Sequence, residues 1–83
     1  MKTTRYFDEQ VRRTRPYVDA SQEAAGLADP LRRFTQPDGR VQLWGAVIDS
    51  RDGKTRILRV VTLQDGETVH NGFFDRDFKD TAR

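Results

Sequence analysis

Arg56-Ile57-Leu58-Arg59-Val60-Val61-Thr62-Leu63-Gln64-Asp65-Gly66-Glu67-Thr68-Val69-His70-Asn71-Gly72-Phe73-Phe74 is the stretch that decides the fold. Its first eight residues are mostly aliphatic and β-branched, the composition of a strand. A second strand-forming run follows Asp65-Gly66. An Asp-Gly pair between two such runs is a strong hairpin signal, because a type I′ turn needs positive φ at both central residues.

Upstream, Val41-Gln42-Leu43-Trp44-Gly45-Ala46-Val47-Ile48 is another run of strand formers, joined to the first by a turn over Asp49 to Lys54 that contains Asp52-Gly53. Strands are expected over about 40–48, 55–63 and 67–74. A short edge strand around Arg33 to Gln36, before the turn Pro37-Asp38-Gly39, makes a fourth. The tail from Asp75 to Arg83 is charged except for Phe78.

The first third reads as helical. Phe7 and Val11 share a face over about 6–14, with Asp8 and Glu9 in the first turn and arginines in the last, as the helix dipole favours. Pro16 ends that helix. A second helix over about 19–28 starts from Asp19 as N-cap and carries the small stripe Ala20, Ala24, Leu27 and Ala28. Gly26 weakens it, and Asp29-Pro30 stops it. The expected architecture is a single α+β domain over 1–83. Two short N-terminal helices pack on one face of a three- to four-stranded antiparallel β meander.

Composition narrows the function. A chain of 83 residues buries only about 60–65% of the surface its unfolded form exposes, so association would help it. Cysteine is absent, which removes disulfides and thiolate metal sites. No apolar run approaches the roughly 20 residues of a membrane span, and Met1-Lys2-Thr3-Thr4-Arg5 opens no apolar signal region. A cytoplasmic location without membrane contact is therefore expected. The formal net charge of +2 is mild. Even so, Arg5, Arg12, Arg13, Arg15, Arg32 and Arg33 make the first half basic, and arginine suits bidentate contact with phosphate or carboxylate.

If both Asp-Gly pairs form two-residue turns, the strand register follows. Val41, Leu43, Gly45 and Val47 then share a face with Thr62, Val60 and Leu58, and with Val69, Asn71 and Phe73. This aliphatic face is expected to meet the helices. The other face has Trp44 beside Val61 and His70, with Arg59 between the small residues Ala46 and Gly72. Arg59 and His70 become diagonal neighbours, about 7–8 Å apart at the backbone.

That pairing defines a candidate site. His70 is the only histidine in the chain and suits proton transfer near neutral pH. Arg59 is placed to stabilise charge on a phosphate, and Trp44 to stack a base. The ordinary readings stand beside these: a hydrogen-bonded structural histidine, a packing tryptophan, and an arginine paired with Asp75, Asp77 or Glu67. No metal motif, glycine-rich phosphate loop or activated nucleophile is present, so no cofactor or metal is expected. The aromatics Phe73, Phe74 and Phe78 either close the core or leave a patch for a partner.

The order of elements, with Asp29-Pro30, Asp38-Gly39-Arg40, Trp44-Gly45, Leu58-Arg59-Val60-Val61-Thr62 and Asp65-Gly66-Glu67, resembles small bacterial BrnT-like domains of the RelE/ParE toxin fold group and their uncharacterised relatives. The resemblance spans about Tyr6 to Phe74 and rests on short motifs. It implies a small antiparallel sheet with helices on one face. In the toxin members it also implies metal-independent ribonuclease activity from basic residues and an antitoxin-like protein partner. The positions that match the resemblance are Arg59, on the central strand, His70 and Arg76; taken with Trp44 from the strand register, they give Arg59 and His70 as catalytic candidates and Trp44 and Arg76 as RNA contacts. Relatives often carry a histidine in the first helix, where this chain has Gln10. Fold analogy alone does not assign function. Two readings therefore stand: a toxin-like RNA-binding or RNA-cleaving protein, and a non-catalytic module that self-associates as a homodimer through the mixed sheet face or the C-terminal aromatics.

Overall fold

The computed structural model describes residues 2–15 and 20–78. The chain is α+β, with two short helices preceding a four-stranded antiparallel sheet whose strands lie side by side in chain order. The first helix opens as a π-helical turn, Phe7–Val11, and continues as an α-helical turn, Arg12–Thr14 (together α1). The second, α2, is Ala20–Ala28. Asp19, the expected N-cap, lies outside the described residues. The strands are β1 Arg32–Thr35, β2 Val41–Ile48, β3 Thr55–Thr62 and β4 Val69–Phe74.

One face of the sheet carries the core. Phe7 and Val11 of α1 cluster with Val47, Leu58, Val60 and Val69, and Leu27 of α2 packs against them. Gly26, which as a helix residue only costs stability, has a tertiary use. A Cβ added at Gly45 of β2 would lie 2.7 Å from the Gly26 Cα, so the two backbones approach closely because neither residue has a side chain. Gln22 fastens the same helix to the sheet by donating from Nε2 to the Ile48 carbonyl at 2.6 Å.

Neither Asp-Gly pair forms a type I′ turn. Gly53 and Gly66 have positive φ, but no non-glycine residue among the described residues does, so Asp52 and Asp65 cannot take the first position of such a turn. Both loops are longer instead. The Asp49 N–H donates to the Lys54 carbonyl, and the Leu63 N–H to that of Thr68. Asp65 shapes the second loop, accepting from the Glu67 and Thr68 N–H groups. Strand β4 accordingly starts at Val69, after Glu67 and Thr68.

The longer first loop moves the β2–β3 register by two residues. Trp44 faces Arg59, where a two-residue turn puts it opposite Val61. An even shift preserves the faces, so Val41, Leu43, Gly45 and Val47 remain inward. The second hairpin behaves differently. Val69 faces Thr62 as expected, but Asn71 faces Val61, leaving His70 as the extra residue of a β-bulge. Beyond it β4 is inverted relative to the expected pattern. Gly72 and Phe74 lie with the inward residues Val60 and Leu58, while Asn71 and Phe73 lie outward with Val61 and Arg59. Gly72 therefore makes room for the buried Glu23 and Phe7, both within 4 Å of the position a Cβ would occupy.

The Gly26–Gly45 approach predicts the effect of Gly45→Ala. The new methyl meets backbone, which cannot rotate away, so overpacking is expected to cost about 1–3 kcal/mol. In a domain of this size each kcal/mol lowers Tm by roughly 4–8 °C. Thermal unfolding followed by circular dichroism checks this, and an unchanged Tm would contradict the close approach.

Candidate nucleic-acid interface

The outward face presents alternating guanidinium groups and rings. Arg32, Trp44, Arg59 and Phe73 are successive partners across β1, β2, β3 and β4. The Arg32 Cζ lies 5.5 Å from the Trp44 ring centroid, and the Arg59 Cζ lies 5.1 Å from the centroids of both Trp44 and Phe73. Arg15, at the end of α1, extends the row with its Cζ 5.6 Å from Phe73. Each such contact contributes about 0.5–1 kcal/mol where exposed and more where dry.

Asp75 clasps the middle of the row. Its Oδ2 accepts from Trp44 Nε1 at 3.0 Å and from Arg59 Nη2 at 2.7 Å. These bonds hold its carboxyl below the ordinary carboxylate range, the tryptophan N–H foremost. Its Oδ1 accepts from the Asp77 N–H, turning the chain so that Phe78 stacks on Trp44 with centroids 6.0 Å apart. Trp44 is thus only 6% exposed, enclosed by two arginines, a carboxylate and a phenyl ring. It anchors the face and is not an open stacking platform. An open aromatic on the same outward face is Phe34 of β1, opposite Gln42 and 48% exposed.

His70 and Arg59 are not brought together. The expected diagonal contact required Arg59 opposite Gly72, but Arg59 faces Phe73. The small-residue notch over Arg59 is correspondingly filled by Trp44 and Phe73. The bulge gives His70 to the N-terminal segment instead. Its Nδ1 shares a 3.0 Å hydrogen bond with Thr4 Oγ1, and its ring stacks on Tyr6 at 4.8 Å. Thr4 Oγ1 also accepts from the Phe7 N–H, capping α1. Lys2 and Thr4 pair with the edge of β4 at Val69. His70 thus fastens the start of the chain to the last strand.

Arg76 is exposed and lies beside a second group of cations. Asp49, fully buried at the end of β2, accepts from the N–H, Nε and Nη2 of Arg51 and from Nε of Arg56. The Arg51 contacts lead in driving its carboxyl far below the ordinary range. Arg56 also pairs with Asp52. Among the described residues, Arg15, Arg32 and Arg76 form no ion pair.

Four members of this interface lie outside the site expected from sequence: Arg15, Arg32, Phe34 and Phe73. An arginine or aromatic on each strand was visible as a pattern. Only the true register puts them in one row. No family model matches the chain, and no curated protein or solved structure does either. No helix among the described residues is long and apolar enough to cross a membrane.

The His70 setting predicts a pH effect. Burial, aided by the Arg40 charge, holds the imidazole below its ordinary pKa. The unfolded chain therefore takes the proton first as pH falls. The contribution is whole above the unfolded value of about 6.5 and is lost as pH falls from there toward the lower folded value. Urea midpoints are expected to drop between pH 7.5 and 5.5, and His70→Gln is expected to flatten that drop. An equal slope in both proteins would remove His70 as its source.

Proposed function

We propose that this chain is a small RNA-binding module that holds single-stranded RNA on its outward sheet face by charge and ring stacking, without cleaving it. The observation that carries the reading is the row Arg32–Trp44–Arg59–Phe73–Arg15, whose two terminal arginines have no carboxylate partner among the described residues. Terminal guanidinium groups free of carboxylates suit phosphates. The exposed ring of Phe34 beside Arg32 suits a base. The toxin-like resemblance favours RNA as the polyanion. Cleavage by His70 and Arg59 is disfavoured, because one is bonded to Thr4 and the other to Asp75. An antitoxin-like protein partner belongs to the same toxin-like reading.

Fluorescence anisotropy with a labelled single-stranded RNA tests this. Wild type is expected to bind with an affinity that falls as salt rises. Arg32→Ala should reduce the logarithmic salt slope by about 0.7, the value for one contact to a single strand. Phe34→Ala should remove about 1–3 kcal/mol of stacking. No binding at low salt would end the proposal. RNA cleavage present in the wild type and lost in folded His70→Ala would replace it with the enzymatic reading.

A second reading, self-association into a homodimer, is favoured by one observation. Strand β1 is an open edge, exposed along all four residues, with Leu31 and Phe34 42% and 48% exposed. Open edges of this kind pair with other chains. The C-terminal aromatics are less suited to that role, since Phe78 stacks on Trp44 and Phe74 packs against the core. Light scattering across a wide concentration range is expected to reveal a dimer that Phe34→Glu weakens. Monomer throughout would exclude this reading.

A further inference from the structure

A concavity of about 290 Å³ lies where α1, the β2–β3 loop and the end of β4 meet, lined by Arg15, Arg51, Arg56, Arg76, Phe73 and Phe74. Four guanidinium groups around so small a space repel one another unless anions are near. Two carboxylates meet that need in part. Asp49 binds Arg51 and Arg56, and Asp52 binds Arg56. Arg15 and Arg76 have no carboxylate partner among the described residues. The nearby Asp75 is engaged by Arg59 and Trp44. Among the described residues, two of the four lining charges are therefore without a carboxylate.

The parts of this concavity are held in place. Asp49 is fully buried, and its several bonds fix the root of the Arg51–Arg56 loop. The Arg51 guanidinium lies over the Phe74 ring and that of Arg15 over Phe73, at 5.7 and 5.6 Å. Arg15 Nη1 also donates to Asn71 Oδ1 at 3.4 Å. A guanidinium group fixed by a ring or a carboxylate loses less entropy on binding an anion than a free one.

We infer that this concavity binds a phosphate monoester, carried either by a free nucleotide or by the 5′ end of an RNA strand. Charge selects the monoester. A terminal phosphate has about −1.5 to −2 charges at pH 7, matching the two cations that lack a carboxylate among the described residues, whereas a diester within a strand carries one. The volume is at the lower limit of small-ligand sites, enough for the phosphate and part of its sugar but too small to enclose a folded chain. The site shares Arg15 and Phe73 with the outward row, so a strand lying on that row would bring its end here. The strand-end source rests on the RNA-binding reading, and the free-nucleotide source does not.

Calorimetric titration of the whole chain with adenosine 5′-monophosphate, adenosine and inorganic phosphate tests the inference. A parallel comparison uses one oligoribonucleotide with a 5′-phosphate or a 5′-hydroxyl. The monophosphate is expected to bind at least about tenfold more tightly than adenosine, a difference typical of charge-assisted bonds. Arg15→Ala and Arg76→Ala should each abolish most of that difference, and Arg76→Lys should restore part of it. Arg5→Ala, which removes an exposed arginine paired with Glu9 away from the concavity, should leave it intact. Arg76 is an exposed turn residue, so its variants keep the fold. Equal binding of adenosine and its monophosphate would overturn the site, as would a preference that survives the double variant. Absence of any phosphate binding would overturn it whether or not the protein binds RNA. A monophosphate preference without a strand-end preference would support the site and assign it to free nucleotides.

Discussion

One extra residue in β4 organises much of this molecule. The bulge at His70 keeps Val69 in the core while turning Gly72 and Phe74 inward and Phe73 outward. The inward glycine leaves room for Glu23 and Phe7. The outward phenyl joins Arg59 and Trp44 in the row that crosses the sheet. The displaced histidine meets Thr4 and Tyr6 and ties the N-terminal segment to the sheet edge. A regular strand would have put Gly72 beside Arg59 and Phe73 against the helices, giving the outward face neither its last ring nor its place for Arg15.

Carboxylates then decide what the arginines do. Asp75 and Asp49 are the two most enclosed partners, 10% and 0% exposed at their side chains. Each gathers more than one donor. Asp75 secures the middle of the outward row, and Asp49 secures the loop that flanks the arginine-lined concavity. The helical pairs Arg5–Glu9 and Arg12–Asp8 are exposed and contribute little by comparison. A mild net charge is thus compatible with local positive surplus, because the acids are spent at particular places.

Much of the fold was legible. Val41 to Ile48 and Arg56 to Leu63 could hardly be anything but strands, and the inward set of β2 survived a register error because that error was even. Trp44 and Arg59 both belong to the outward face as expected. Their direct pairing was not visible, since it depended on a loop two residues longer than Asp52-Gly53 suggested. His70 was singled out for its chemistry, yet its partners lie some sixty residues away at Thr4 and Tyr6. The outward placement of Phe34 has no signature in the sequence, because a four-residue edge strand carries little periodic signal.

The amino-acid order by itself determined the class of fold, the succession of helices and strands, and the inward residues of β2. These follow from local propensity and period-two alternation, which act over a few residues at a time. Tertiary structure alone decided the bulge, the mating of Gly26 with Gly45, and the gathering of Arg15, Arg51, Arg56 and Arg76. Those features depend on which backbone amides find partners and which volumes fit once the helices lie on the sheet. Such choices are settled between segments far apart in the chain, and no local pattern encodes them.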